Sequence, residues 1–134
     1  MADGVHVRVG AGRYTFDVRD IREVEDRHTE TAVPGAPGDV VGVCNLRGAI
    51  LPVVRVHRLL GQASGGERFM VVAEAEGYLA GVIVDEILGV EPLPYELEAD
   101  PTVGVRGRAL VDGEFVGVLD IRAVLDALAE EADG

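Results

Sequence analysis

The sequence predicts an all-β fold made of two small barrels that share a core, and three observations predict it. Apolar and polar residues alternate with period two along most of the chain, as on half-buried strands. Eighteen glycines and six prolines punctuate those runs, which suits short strands and tight turns. The third observation is an internal repeat. GRYTFDVRDIREVE from Gly12 resembles GYLAGVIVDEILGVE from Gly77, and VVRVHRLL from Val53 is echoed by VLDIRAVL from Val118, both pairs 65 residues apart. Arg47-Gly48 is echoed by Arg106-Gly107 at an offset of 59, so a shorter loop is expected in the second copy. Two copies are too few for a solenoid, and two barrels packed face to face are the natural outcome.

The elements follow in order. VHVRV (residues 5–9) and RYTFDV (13–18) read as strands. VPGAPGD (33–39) is a loop, because its prolines and glycines suit neither helix nor central strand. GVCNLRGAILPVVRVHRLLG (42–61) sets Asn45, Arg47 and Gly48 between two apolar strands, with a short helical turn over 56–60. ASGGE (63–67) reads as a linker. RFMVVAEAEG (68–77) is a strand entering a turn. YLAGVIVDEILGV (78–90) is one long strand or two with a bend near Asp85, and Gly81 inside it marks a bulge or a close backbone approach. Asp112-Gly113, between apolar flanks, is the strongest hairpin signal in the chain. Residues 121–129, IRAVLDALA, have helical spacing with Asp120 as N-cap, and the EEADG tail is expected to fray. The predicted core is Val7, Val9, Phe16, Val43, Ile50, Val53, Val71, Val72, Val82, Val84, Val116, Val118, Leu119 and Leu125.

Composition bounds the function. At 134 residues the chain makes one compact domain or two small barrels leaning on each other. The net charge of −12 disfavours nucleic acid, whose phosphates would repel it. Residues 1–66 hold eight acids and eight arginines, while residues 67–134 hold sixteen and four, so the second half is expected to steer a basic partner. No apolar run reaches the ~20 residues of a membrane helix, no signal segment opens the sequence, and the single Cys44 fits a reducing compartment. These features predict a soluble cytoplasmic protein without direct membrane insertion.

Catalysis finds no support. His6, His28, His57 and Cys44 fit no zinc spacing, and Cys44 reads as a small packed apolar group. Asp85, Glu86, Asp112 and Asp120 form no recognised acid–base pair, and Asp112 and Asp120 are explained by a turn and a cap. No cofactor motif is present, and no metal site or enzyme activity is expected. Binding remains, and Arg47 is its focus. An exposed arginine on rigid neighbours makes a good protein-binding anchor. An arginine tying the two halves together through an acid would serve structure instead, and the residues alone leave both readings open.

The motifs resemble the CheW family. GVCNLRGAILPVV is similar to that family's Gly-x-x-Asn-Leu-Arg-Gly segment followed by an apolar strand with a central proline. RYTFDVRDIREVE, VDEILGVE and VRGRALVDGEFVGVLDIRAVL also resemble family segments, in order, over about residues 5–128. The resemblance implies two intertwined five-stranded barrels in a single CheW-like domain over residues 1–134. The sub-barrels are expected at about 12–66 and 67–120, with the helix 121–129 packing across. It also implies a non-enzymatic adaptor that couples the cytoplasmic tip of a chemoreceptor to the regulatory domain of a CheA-type histidine kinase. Such proteins hold the receptor tip in a groove between barrels and use the barrel ends for the kinase domain. Residue by residue, the receptor-side positions are Ile21, Glu23, Val24, Gly42, Val43, Asn45, Leu46, Arg47 and Gly48. One departure stands at Arg55, where the family usually has aspartate followed by leucine. With the short 61–67 loop, it points to altered partner specificity, as in a chemosensory system controlling pili. The alternative is a regulatory module that binds a small ligand in the inter-barrel groove, for which a closed apolar pocket would speak.

Overall fold

The computed structural model describes residues 2–27 and 30–133, without the side chains of 131–133; the His28 expectation lies outside the described residues. Ten strands and one helix follow in order: β1 (Asp3–Val9), β2 (Gly12–Asp17), β3 (Ile21–Asp26), β4 (Val40–Leu46), β5 (Ala49–Arg55), β6 (Phe69–Ala75), β7 (Tyr78–Val84), β8 (Glu86–Pro92), β9 (Val105–Val111), β10 (Glu114–Leu119) and α1 (Ile121–Asp133). A 3-10 turn, Val18–Asp20, joins β2 to β3. The strands form two five-stranded sheets, in the orders β8-β1-β2-β10-β9 and β3-β6-β7-β5-β4.

The repeat is visible in the pairing register. Val9 faces Gly12 in the first hairpin, and Ala75 faces Tyr78 in its counterpart, 66 residues on. Both copies carry a bulge at the same place in the third strand, between Ile21 and Glu23 and again between Ile87 and Gly89. Both carry another in the fourth strand, between Val40 and Gly42 and between Val105 and Gly107. If each strand of the first sheet is replaced by its counterpart in the other copy, the order of the second sheet results.

This topology corrects the expected division at residue 66. Each sheet takes the first two strands of one copy and the last three of the other, so both draw on both halves of the chain. The reason is geometric. β2 and β10 lie side by side in parallel, as do β5 and β7, and parallel neighbours cannot be joined by a tight turn. The acidic second half is therefore shared between the sheets. The Arg-Gly echo is corrected as well. The counterpart of Arg47-Gly48 is Asp112-Gly113, the two-residue turn of the matching hairpin, whereas Gly107 corresponds to Gly42.

The main core lies between the sheets. Val5, Val7, Val9 and Phe16 from the first meet Val54, Val71, Val82 and Val84 from the second, and Ile121, Val124 and Leu128 of α1 join them. Side chains alternate across a strand, so the far faces are buried too. Behind the second sheet, Cys44, Leu51, Val53, Met70, Val72 and Ile83 cluster. Behind the first lie Val116, Val118 and the polar His6 and Thr15. Each sheet curls around its far face. The edges of the second are stitched by a bridge between Thr31 and Val43, and those of the first by one between Glu98 and Arg108.

Of the predicted core, Ile50 is the clear exception, at 72% exposure. Leu51 and Val53 point inward, so alternation turns Ile50 and Pro52 outward. Val43 and Leu125 are half-buried, and the other eleven are buried. Pro52 is tolerated because the ladder to β7 begins only at Val53. Gly81 marks a close approach, since a Cβ there would press on the Met70 side chain. Asp120 caps α1 by accepting from the Ala123 N–H at 3.1 Å. The helix continues through the expected tail to Asp133.

The connector 62–68, read as a linker, is pinned. Asp85, at the bend between β7 and β8, accepts from the Gly10 N–H at 2.6 Å and the Glu67 N–H at 2.7 Å. Gln62 donates to the Tyr14 hydroxyl at 2.9 Å.

Candidate functional site

The β4–β5 hairpin closes on Arg47 and Gly48, with φ of 51° and 86°. Positive φ at both central residues gives the type I′ geometry that matches strand twist in a two-residue hairpin. Glycine adopts it freely, whereas a residue with a side chain costs about 1–2 kcal/mol there. Two contacts hold the turn. The Gly48 N–H donates to Asn45 Oδ1 at 3.0 Å, and the Arg47 guanidinium pairs with the Glu23 carboxylate on β3. β3 and β4 are the two edges of the second sheet, so this pair bridges them beside the Thr31–Val43 stitch. The Arg47 side chain nevertheless remains 71% exposed while Glu23 is 20% exposed. The two readings left open by the sequence meet in one residue: Arg47 is paired to an acid and also presented to solvent.

Gly42 has a different task. A Cβ there would collide with the Thr31 carbonyl, and that close approach lets Val43 exchange hydrogen bonds with Thr31 at 2.8 and 2.9 Å. At Gly48 a Cβ would meet nothing within 4 Å. Leu46 is half-buried against the cluster behind the sheet.

The positions expected on β3 do not share one surface. Glu23 pairs in register with Val72 and points to the far face, toward Arg47. Val24 and Ile21 pair with Val71 and Ala73 and point to the inter-sheet side. Arg47 and Glu23 therefore meet on the far-face side at one end of the second sheet, with Asn45 and Gly48 completing the turn. Ile21 and Val24, and by alternation from Cys44 and Leu51 also Asn45 and Ile50, face the inter-sheet side. Ile50, directly across from Asn45, adds an exposed apolar surface to that end. Carrying the β5–β7 register back three residues from Val53 and Gly81 places Tyr78 level with Ile50, and Tyr78 is also exposed. The sequence reading missed both; strict alternation back from the inward Leu51 would have found Ile50.

Arg55 lies at the other end of β5. Its Nε donates to Glu67 Oε1 at 2.9 Å, and Arg27 reaches Glu67 Oε2 at 3.2 Å and Glu30 at 2.5 Å. The departure at Arg55 is thus neutralised within the chain by Glu67. A cavity of about 300 Å³ opens beside it, lined by Asp39, Arg55, His57, Arg58 and Glu67 among others. An apolar depression of about 500 Å³ lies elsewhere, among Ala2, Arg19, Leu93, Pro94 and Tyr95. Cys44 is buried, and that burial, with the nearby Glu25 and Glu30 charges, raises its thiol pKa, which suits a packed residue. No group of three or more metal-ligating side chains gathers among the described residues. No described helix is long and apolar enough to cross a membrane.

Comparison with known proteins adds the following. A family model described as the CheW-like domain matches residues 3–129. The chain is 33% identical over 122 residues to the chemotaxis protein CheW of Thermotoga maritima, covering 84% of this chain and 80% of that protein. It is 26% identical over 137 residues to the chemotaxis protein CheW of Rhizobium meliloti, covering 93% and 88%. Among solved structures it is similar to the scaffolding protein TtCheW from Thermoanaerobacter tengcongensis. That match has a TM-score of 0.82 at 27% identity, over 90% of this chain and 84% of that one.

Proposed function

The chain belongs to the CheW-like family, and from that premise we propose that it is a non-enzymatic coupling adaptor of chemosensory signalling. It brings the cytoplasmic tip of a chemoreceptor and the regulatory domain of a CheA-type histidine kinase into one assembly. The observation that carries the reading is the β4–β5 turn. An arginine held in the left-handed region, fixed by Asn45 and Glu23 yet largely exposed, is a pre-organised anchor. Ile50 and Tyr78 beside it offer apolar contact area, and a charged anchor next to an apolar surface suits a helical hairpin laid against the sheet end.

In this reading Asn45, Leu46, Arg47 and Gly48 form the receptor side, with Gly42 and Val43 fixing the strand that leads into it. Glu23 orients Arg47, and Ile21 and Val24 contribute from the inter-sheet side. Arg55 belongs to the internal Glu67 network, so its sign need not alter partner choice. The test is capture of receptor-tip and kinase-domain fragments by the wild-type protein and by Arg47→Glu. Wild type is expected to retain both fragments. The variant is expected to lose the receptor tip and keep the kinase domain, with only a modest fall in melting temperature, because the Arg47 side of the pair is largely exposed although the new carboxylate faces Glu23. Retention of the receptor by the variant, or a steep fall in its melting temperature, contradicts the anchor role.

A further inference from the structure

The two copies of the repeat solve their far faces differently. Behind the second sheet the buried positions include Met70, Val72 and Leu51, with Leu79 packed against the cluster. By register, His6 stands where the other copy has Val72, Arg13 where it has Leu79, and Thr15 where it has Gly81. An apolar solution for this face therefore exists in the same chain, yet the first sheet carries a polar network across four strands. His6 is wholly buried, and its Nδ1 accepts from Arg13 Nε at 3.2 Å and Arg13 Nη2 at 3.0 Å. The imidazole proton is accordingly on Nε2. Arg13 also pairs with Glu91 on β8, whose carboxylate lies 3.8 Å from His6 Nδ1. Glu114 on β10 sits 3.9 Å from Arg13 and holds Arg8 of β1 at 2.8 Å. These are the charged groups that face His6 from the strands around it.

A second proton on His6 must go to Nδ1, where it turns an acceptor into a donor aimed at a guanidinium. Glu91 is the acceptor within reach. Both contacts run through the same atom, Glu91 Oε2, so a bond from His6 to that oxygen competes with the one Arg13 holds, and Glu114 is the next carboxylate available to that arginine. Arg13 also lines a cavity of about 240 Å³ with Tyr14, Asp100, Arg108 and the exposed Phe115. We propose that His6 is a proton-responsive switch for this end of the first sheet: protonation moves Glu91 from Arg13 to His6 and sends Arg13 toward Glu114 and the Phe115 cavity. Burial and the Arg13 charge lower the His6 pKa and Glu91 raises it, so the switch operates on the acid side of the ordinary imidazole value of 6.5.

The experiment is a pH titration of the full-length protein, with isotope-labelled histidine and arginine side chains followed by NMR and folding monitored by circular dichroism. His6 is expected to titrate below 6.5 while the chain stays folded, with Arg13 Nε and the Phe115 amide moving at the same midpoint. Glu91→Gln, at a partly exposed position, is expected to lower the His6 midpoint further and to uncouple Arg13 from it. The proposal is overturned if His6 stays neutral until the chain unfolds. It is equally overturned if Arg13 does not follow His6, or if Glu91→Gln leaves the midpoint in place.

Discussion

Asp85→Ala tests how the two sheets are joined. Asp85 is buried at the point where the chain leaves β7 in one sheet for β8 in the other. Its carboxylate accepts from two backbone donors, Gly10 in the β1–β2 turn and Glu67 in the connector between the copies. A hydrogen bond to a charged group contributes about 1.5–3 kcal/mol net, and losing the acceptor leaves both N–H groups to be solvated. Both bonds are only partly buried, so water recovers some of that loss, and the lower figure applies to each. Two bonds at that value give a destabilisation of about 3 kcal/mol. For a domain of this size, about 4 °C per kcal/mol converts it to a fall of roughly 12 °C in Tm. Asp85→Asn keeps one acceptor oxygen but turns its NH2 toward the other backbone N–H, so it is expected to lose at least half as much. Thermal melting followed by circular dichroism measures the loss, and amide exchange locates it at Gly10 and Glu67. A fall below about 1 kcal/mol, or unchanged protection at those two amides, would refute the account of Asp85 as the tie.

Two further predictions concern glycine and histidine. Gly42→Ala forces a Cβ against the Thr31 carbonyl and is expected to cost about 2–4 kcal/mol, whereas Gly48→Ala faces open space and costs only its backbone strain of about 1–2 kcal/mol. Chemical denaturation of both variants checks that ranking, and equal losses contradict it. Stability should also fall with acid through His6. Its folded pKa lies below the unfolded value of 6.5, so the unfolded chain takes up the proton first. The contribution is complete above 6.5 and is lost as pH drops from there toward the folded pKa; His6→Val is expected to flatten that part of the curve.

The strands were legible because alternation on a half-buried strand is local, and the Asp112-Gly113 hairpin and the Asp120 cap were legible for the same reason. The duplication was legible too, but its register was not. Arg47-Gly48 and Arg106-Gly107 match as letters, while pairing equates Gly107 with Gly42, whose shared need is room for a crossing backbone. Which strands share a sheet depends on pairings between distant segments, such as Val53 with Gly81, that no window of sequence displays. The candidate site divides in the same way. The Asn-Leu-Arg-Gly motif announced itself, but the partner of Arg47 is Glu23, 24 residues earlier on a strand that never pairs with the hairpin. Ile50 was misplaced because an apolar run gives no phase until its inward residues are known. His6 gave no signal because a buried histidine looks like an exposed one in an alternating strand.

Coupling is the central claim, and kinase output measures it most directly. A CheA-type kinase and a chemoreceptor fragment would be combined with this protein, with its Arg47→Glu variant, or with neither, and autophosphorylation followed in each. The account predicts that receptor control of the kinase appears only with the wild-type protein and is lost with the variant, although the variant still binds the kinase domain. Receptor control that is the same with and without the protein would contradict it.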